Sequence, residues 1–254
     1  MRIKIFLLLT SLLMLSSVPV YSKTIKMAID ERNWYPFTYV DNNNIPSGMH
    51  VELVKKALSS LGYSTSIDYL PRKRCLFSID QGAIDAMISI SYNQDVAKGM
   101  DFPENSEKPG ESQWRIMQVD QVVVTMKSDY EFDGKIESLP EPVRIPSGES
   151  MTAYISASGK MIDEAKTDEQ NFGKMRRDMN GCVITTTMVA EKIATMPEYA
   201  GKINIHAIPL ASLSYHLAFS KKTGISSEEK KAIWEEIKKW RENYVFMLQL
   251  YSQY

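Results

Sequence analysis

Between Tyr69 and Cys75 the chain reads YLPRKRC, which places Arg72, Lys73 and Arg74 directly after Pro71 and just ahead of a short helix-like segment, residues 74 to 81. Cations at a helix start oppose the macrodipole by about 0.3–1 kcal/mol each unless an anion compensates them. A basic cluster this short fits a nucleic-acid patch, a processing site, a solvated surface or a clamp for a small anion. Arginine's planar fork suits a carboxylate, and such a bond gains strength in a closed cleft of lowered dielectric. The compensating carboxylate belongs either to a ligand or to Asp30, Glu31 or Asp68. The plain alternative is that at least two of the three bases are solvated or paired within the chain.

Two further groups have the chemistry of a binding site. Trp34, Tyr35 and Phe37 follow the first strand-like run, and a doubly wound sheet presents ligands at the carboxyl ends of its strands. There an aromatic ring either stacks on a ligand or simply packs. Ser147, Gly148, Glu149 and Ser150 precede a helix-compatible stretch, so their hydroxyls and backbone N–H groups either hold an anion or merely cap the helix. His50, His206 and His216 share no metal-ligand spacing with each other or with the cysteines, and the 15 methionines are scattered as core gap-fillers are. No nucleophile elbow, phosphate loop or metalloprotease helix is present, so the sequence offers neither catalytic residues nor a cofactor site.

The elements that must position these residues begin after an N-terminal run with the form of a secretory signal. Arg2 and Lys4 precede the apolar Ile5–Leu15, and Val20-Tyr21-Ser22 supplies small residues for cleavage after about Ser22. No cysteine near that point could carry a lipid, so the expected mature protein is a diffusible one in the periplasm of a double-membrane bacterium. Removing residues 1–22 takes the 30 bases to 28 against 31 acids. That balance argues against a nucleic-acid partner.

Alternating or β-branched runs at 24–29, 64–70 and 84–91 are interleaved with a helical pattern from Val51 to Leu61 and the short helix of residues 74 to 81. Strand and helix taking turns in this way signal a parallel sheet flanked by helices. After the polar stretch 103–118 the same pattern is written again: strands at Val122–Met126, Val143–Ile145, Val183–Thr187 and Ile203–Ile208, helices after SGES and near Val189–Thr195. A last strand, His216–Ser220, leads to an amphipathic helix with a Ser226/Glu229 capping box and an apolar stripe of Ile233, Trp234, Ile237, Trp240 and Tyr244. Lacking a sheet of its own, that helix is expected to pack on the first lobe. The division is then 1–22 signal peptide, 23–118 with 213–254 as lobe 1, and 119–212 as lobe 2.

On the stretches WYPFTYVDNN, GMHVEL, LPRKRCLFSIDQGAIDAMIS, MDFPEN, VRIPSGES and YHLAFSKK, in that order, the chain resembles the extracellular solute-binding proteins of family 3, the polar-amino-acid type of periplasmic binding protein. The resemblance implies the two-lobed α/β fold of the type 2 periplasmic binding proteins. Each lobe is a mainly parallel sheet flanked by helices, and two hinge strands join the lobes around a small polar solute. It implies a monomeric binding protein, not an enzyme, whose closed form meets an ABC permease or a sensor's periplasmic domain. The resemblance extends to dehydratases acting on prephenate-like acids, so an enzyme on the same scaffold is the alternative. A degenerate lobe pair that binds a protein partner is a third.

Two departures shape the expected site. Val96, between Asp95 and Lys98, stands where the family carries its carboxylate-binding arginine, and Gly181-Cys182-Val183-Ile184 lacks the family's common acid. The resemblance also places a cleft-facing arginine in the PRKRC stretch, so Arg74, helped by Arg72 and an aromatic from Trp34 to Phe37, becomes the expected anion contact. Cys75 and Cys182 fall in different lobes, where a disulfide would restrict closure, and two unpaired thiols are expected.

Overall fold

The run TIKMAID forms strand β1 (Thr24–Asp30) and buries Ile25, Met27, Ala28 and Ile29. Burial on both faces is what a parallel strand covered by helices requires. The computed structural model describes residues 23–147 and 151–254. The expected signal peptide, residues 1–22, and Gly148, Glu149 and Ser150 therefore lie outside the described residues. From β1 the chain runs through β2 (Tyr39–Val40), β3 (Pro46–Ser47), α1 (Met49–Ser60), β4 (Ser64–Leu70), α2 (Arg72–Asp80), β5 (Ala86–Ser91), β6 (Met100–Asp101) and β7 (Met117–Met126). It continues through β8 (Val143–Pro146), α3 (Met151–Ala157), β9 (Ile162–Ala165), α4 (Asp168–Asp178), β10 (Cys182–Thr186) and α5 (Thr187–Ala194). β11 (Ile203–Ile205), β12 (Ala211–Ser220), α6 (Ser227–Arg241) and α7 (Tyr244–Tyr251) complete it.

β1 pairs in parallel with β4 and β5, and β8 pairs in parallel with β9 and β10. Between these two groups lie β7 and β12, antiparallel to each other and to their outer neighbours β10 and β5. The sheet thus reads β4-β1-β5-β12-β7-β10-β8-β9: two parallel α/β halves meeting on two long crossing strands. This is the two-lobed architecture with hinge strands that the sequence led one to expect.

Both crossing strands are longer than their apolar runs. β7 starts at Met117, not Val122, and β12 at Ala211, not His216. Gln118, Asp120, Ser212 and Ser214 hid the extra length, because they bond across the pair instead of packing in a core. Gln118 Nε2 donates to Ser212 Oγ (2.9 Å) and the Ser214 hydroxyl to Gln118 Oε1 (2.5 Å). Helix α4 has no counterpart in the sequence reading, since only Phe172 and Met175 give it an apolar face, with Thr167 accepting from Gln170 N as its cap. The strand expected to reach Ile208 ends at Ile205, where the His206 ring turns to bond Thr125 Oγ1 (3.0 Å).

Each half is covered on both faces. Ile25, Met27 and Ile29 meet Val51, Val54 and Leu58 of α1 and Ile233, Trp234 and Ile237 of α6, while Cys75 and Ile79 of α2 seal the opposite face against Ala28 and Met87. In the other half Val123, Ile145 and Ile184 pack with Ile155, and Val122, Val124 and Val183 pack with Phe172, Met175 and Ala190. Full burial of side chains of this size contributes about 1.5–3 kcal/mol each. The capping box at α6 is formed, Ser226 N donating to Glu229 Oε2 (2.8 Å) and Glu229 N to Ser226 Oγ (3.2 Å). Trp234 Nε1 then pins the helix to Leu217 O at 2.8 Å. The apolar stripe ends at Trp240: Asn243 caps a new helix, and Tyr244, expected to extend the stripe, is 77% exposed.

Cys75 and Cys182 are free and buried, Cys75 between α2 and β1 and Cys182 on β10. Burial pushes both thiols up to about 12. Because the thiolate is the reactive form, a thiol reagent near neutral pH should modify neither of the 2 cysteines in the native protein and both after urea unfolding. Rapid labelling of the folded chain would contradict this packing.

Candidate functional site

The loops that leave the carboxyl ends of β1, β8 and β10 face one another across a cleft of about 520 Å³. The first-half wall carries Arg32, Trp34, Tyr35 and Tyr39, the floor Gln121 from β7, and the opposite wall Ser147, Thr167, Asp168, Thr185, Thr186 and Lys192. Arg32 is held at the end of β1: its backbone N–H and Nε donate to the two oxygens of Asp30 at 3.1 and 3.2 Å. Asp30 is buried and also faces Arg72 at 3.6 Å, so one carboxylate anchors the start of α2 and the cleft arginine together.

Trp34 sits against Phe37 (4.6 Å between ring centroids) and Tyr215 (4.7 Å), and Tyr35 against Tyr39 (5.3 Å), which gives the first wall a fixed aromatic surface. The second wall is built from helix starts. Thr186 caps α5 by accepting from Val189 N, and Thr167 caps α4, so both helices turn their positive dipole ends toward the cleft. Lys192 of α5 reaches across, its Nζ 3.7 Å from the centroid of the Tyr35 ring. The lining carries Arg32, Lys166 and Lys192 against Asp41, Asp168 and Glu169, a balanced set of charges.

Of the residues singled out in the sequence, Trp34, Tyr35 and Ser147 line this cleft. Phe37 is buried behind Trp34, where it supports the ring and does not reach the space. Arg72 pairs with Asp30, one of the three carboxylates considered for it. Arg74 is exposed and is not among the lining residues, because α2 turns Cys75 and Ile79 inward and carries Arg74 to the outer side. Gly148, Glu149 and Ser150 lie outside the described residues. The sequence reading missed Arg32, Tyr39, Gln121, Thr186 and Lys192. A signal for Thr186 was present in the β-branched run that ends directly at a helix, and Arg32 stands in the same loop after β1 as Trp34 and Tyr35; nothing local marks Lys192. Among the described residues no cluster of three His, Cys, Asp or Glu side chains could hold a metal ion.

Residues 25–170 match the family model of the bacterial extracellular solute-binding proteins, family 3. Among solved structures the chain is similar to a P235GK mutant of ArgBP from T. maritima, at 18% identity and a TM-score of 0.65 over 91% of this chain and 94% of that one. A histidine kinase sensor domain described as similar to periplasmic binding proteins gives 16% identity and a TM-score of 0.68, covering 91% and 96%. The ancestral amino acid-binding protein AncCDT-1, described as a precursor of cyclohexadienyl dehydratase, gives 15% identity and a TM-score of 0.64, covering 91% and 94%. A search of curated proteins finds no match. Likeness at these identities speaks for the fold. Among the described residues no helix is long and apolar enough to cross a membrane.

Two imidazoles, His50 against the aromatic wall and His216 against Phe102, are neutral by burial. His50 is lowered from 6.5 to about 3 and His216 from 6.5 to about 4, in both cases chiefly through desolvation. Below pH 6.5 the unfolded chain therefore binds protons that the folded chain refuses until about 4 and 3, so stability is full above 6.5 and falls as the pH drops through that interval. Urea midpoints should decline across it, and His50→Gln should make the decline shallower by up to one proton. A decline of unchanged slope in the variant would mean that His50 titrates normally.

Proposed function

The chain belongs to family 3 of the bacterial extracellular solute-binding proteins, and from that premise we propose that its cleft captures a small zwitterionic, amino-acid-like solute. The observation that carries this reading is the charge balance of a cleft with one aromatic wall and one wall of helix starts. A carboxylate fits between Arg32 and the capped start of α5, where a guanidinium fork and free backbone N–H groups converge. An ammonium fits the side of Asp168 and Glu169, with Trp34 or Tyr35 stacked on the body of the solute. The clamp is assigned to Arg32 and not to Arg74 because Arg32 lines the cleft. The position of the family's usual arginine offers no cation: Val96 is half-buried against the core, and Lys98 pairs with Asp95 at 2.6 Å.

In this reading residues 23–118 with 213–254, and 119–212, move as two lobes about β7 and β12, and the Lys192–Tyr35 contact already seen across the cleft belongs to the approached state of the two walls. The protein works in the periplasm and hands its closed form to an ABC permease or to a sensor's exported domain. A second reading rests on Asp168 and Glu169, which stand on the wall opposite Arg32 as a general acid would. On that reading the protein is a dehydratase-like enzyme, and incubation with prephenate yields an aromatic product.

A thermal-shift screen of amino acids, amines, organic acids and small peptides should find a ligand that adds about 2.7 kcal/mol of stability at a hundred times its Kd. Calorimetry on that ligand should show Arg32→Ala weakening binding by about 1.5–3 kcal/mol, the usual cost of losing a charge-assisted hydrogen bond. Arg32→Lys should recover part of the loss, because an ammonium cannot reproduce the bidentate fork. An unchanged Kd for Arg32→Ala would remove Arg32 from the site, and aromatic product from prephenate would favour the enzyme.

A further inference from the structure

His50, fully buried at the start of α1, bonds Ser89 Oγ through Nδ1 at 2.7 Å, and its Nε2 has no hydrogen-bond partner. Three rings surround it: Trp34 at 5.7 Å and 77°, Phe37 at 5.1 Å and 47°, Tyr215 at 5.7 Å and 39°. A buried imidazole nitrogen normally finds a partner, so an orphan of this kind calls for an explanation. Ser89 is itself unusual. It takes a φ of +66 inside a strand, at the point where the β5–β12 register slips between Ile90↔His216 and Met87↔Ala218. A bulge of this kind re-aims a side chain, and a non-glycine residue with positive φ persists where its surroundings fix it.

We propose that His50 is a positioning residue for the cleft wall: protonated on Nε2, it accepts the Ser89 hydroxyl proton at Nδ1 and directs its N–H at the face of Trp34. The alternative tautomer would donate from Nδ1 to Ser89 and leave a bare lone pair facing the electron-rich rings. A polarised N–H against a ring face is attractive, and a lone pair there is repulsive. Trp34 is the ring that stands nearly perpendicular to the imidazole, as an edge-to-face contact requires, and it is also the one of the three that lines the cleft. One neutral histidine thereby stabilises the bulge at Ser89 and locks the aromatic surface on which a solute would rest. The inference deepens the binding reading above and shares its premise that Trp34 faces the solute, but its first test needs no solute.

Nitrogen NMR of histidine-labelled protein should report the Nε2–H tautomer at His50; an Nδ1–H signature would overturn the proposal. With tryptophan replaced by 5-fluorotryptophan, the fluorine resonance of Trp34 should be sharp in the parent protein and broadened in His50→Phe. Those of Trp114, Trp234 and Trp240 should not change, which distinguishes loss of positioning from general loosening. His50→Gln, which can still accept from Ser89 and donate toward the ring, should restore the sharp line. For a solute found by the screen, His50→Phe should raise Kd about fivefold to tenfold, as loss of one buried hydrogen bond does. A sharp Trp34 line in folded His50→Phe, or an unchanged Kd, would refute the positioning role. A screen that finds no ligand would count against the binding reading and leave the tautomer and fluorine results standing.

Discussion

Five residue pairs, from Ala211↔Gln121 to Tyr215↔Met117, carry the register between β12 and β7, and both walls of the cleft are placed through them. On one side β12 continues into β5 and the first-half core; on the other β7 continues into β10 and the second. Antiparallel pairing fixes the spacing of these strands to within ångströms, while the polar side chains of Gln118, Asp120, Ser212 and Ser214 bond across the pair. Asp120 and Ser212 bond each other, as do Gln118 and Ser214, so polar bonds and not a continuous apolar core hold this part of the crossing. The apolar clusters accordingly separate into two sets, with Met117 and Val119 in one and Val122 to Val124 in the others. A connection of this kind transmits position without welding the halves together.

From that crossing the electrostatics of the site follow. Asp30, buried at the end of β1, would be costly without cations beside it, and Arg32 and Arg72 supply them. The pairing has two consequences: the basic start of α2 is compensated by the protein's own carboxylate, and Arg32 is turned toward the cleft. On the opposite wall no side chain is needed to make the surface positive, since the capped start of α5 does so with backbone dipoles. Among the described residues the charges lining the cleft come to three of each sign.

Aromatic packing adds the third constraint. Trp34 is wedged among Phe37, His50 and Tyr215, and the Tyr35 hydroxyl donates to Tyr254 O at 3.1 Å, which ties the first-half wall to the end of the chain. Tyr35 in turn carries the Lys192 ammonium from the other half. The contact therefore sets an aromatic ring from one half against a charged side chain from the other.

Much of this was readable in the sequence because it depends on local order. The doubled strand–helix alternation, the capping box at Ser226 and Glu229, and the apolar face of α6 up to Trp240 are set by neighbours within a few residues, and each formed as read. Trp34 and Tyr35 were legible as cleft-lining residues for the same reason: they follow a strand end. The tertiary structure alone decided which cation entered the cleft. PRKRC announced its charge but not its direction, and about half a helical turn separates Arg72, paired with Asp30, from Arg74, carried outward. Lys192 has no local signature, since it meets the space beside Arg32 only because β7 and β12 bring distant halves together. Periodicity along a chain records which face of an element is buried; which side chains converge on a cleft is set by contacts between residues far apart in the chain, and no local pattern encodes them.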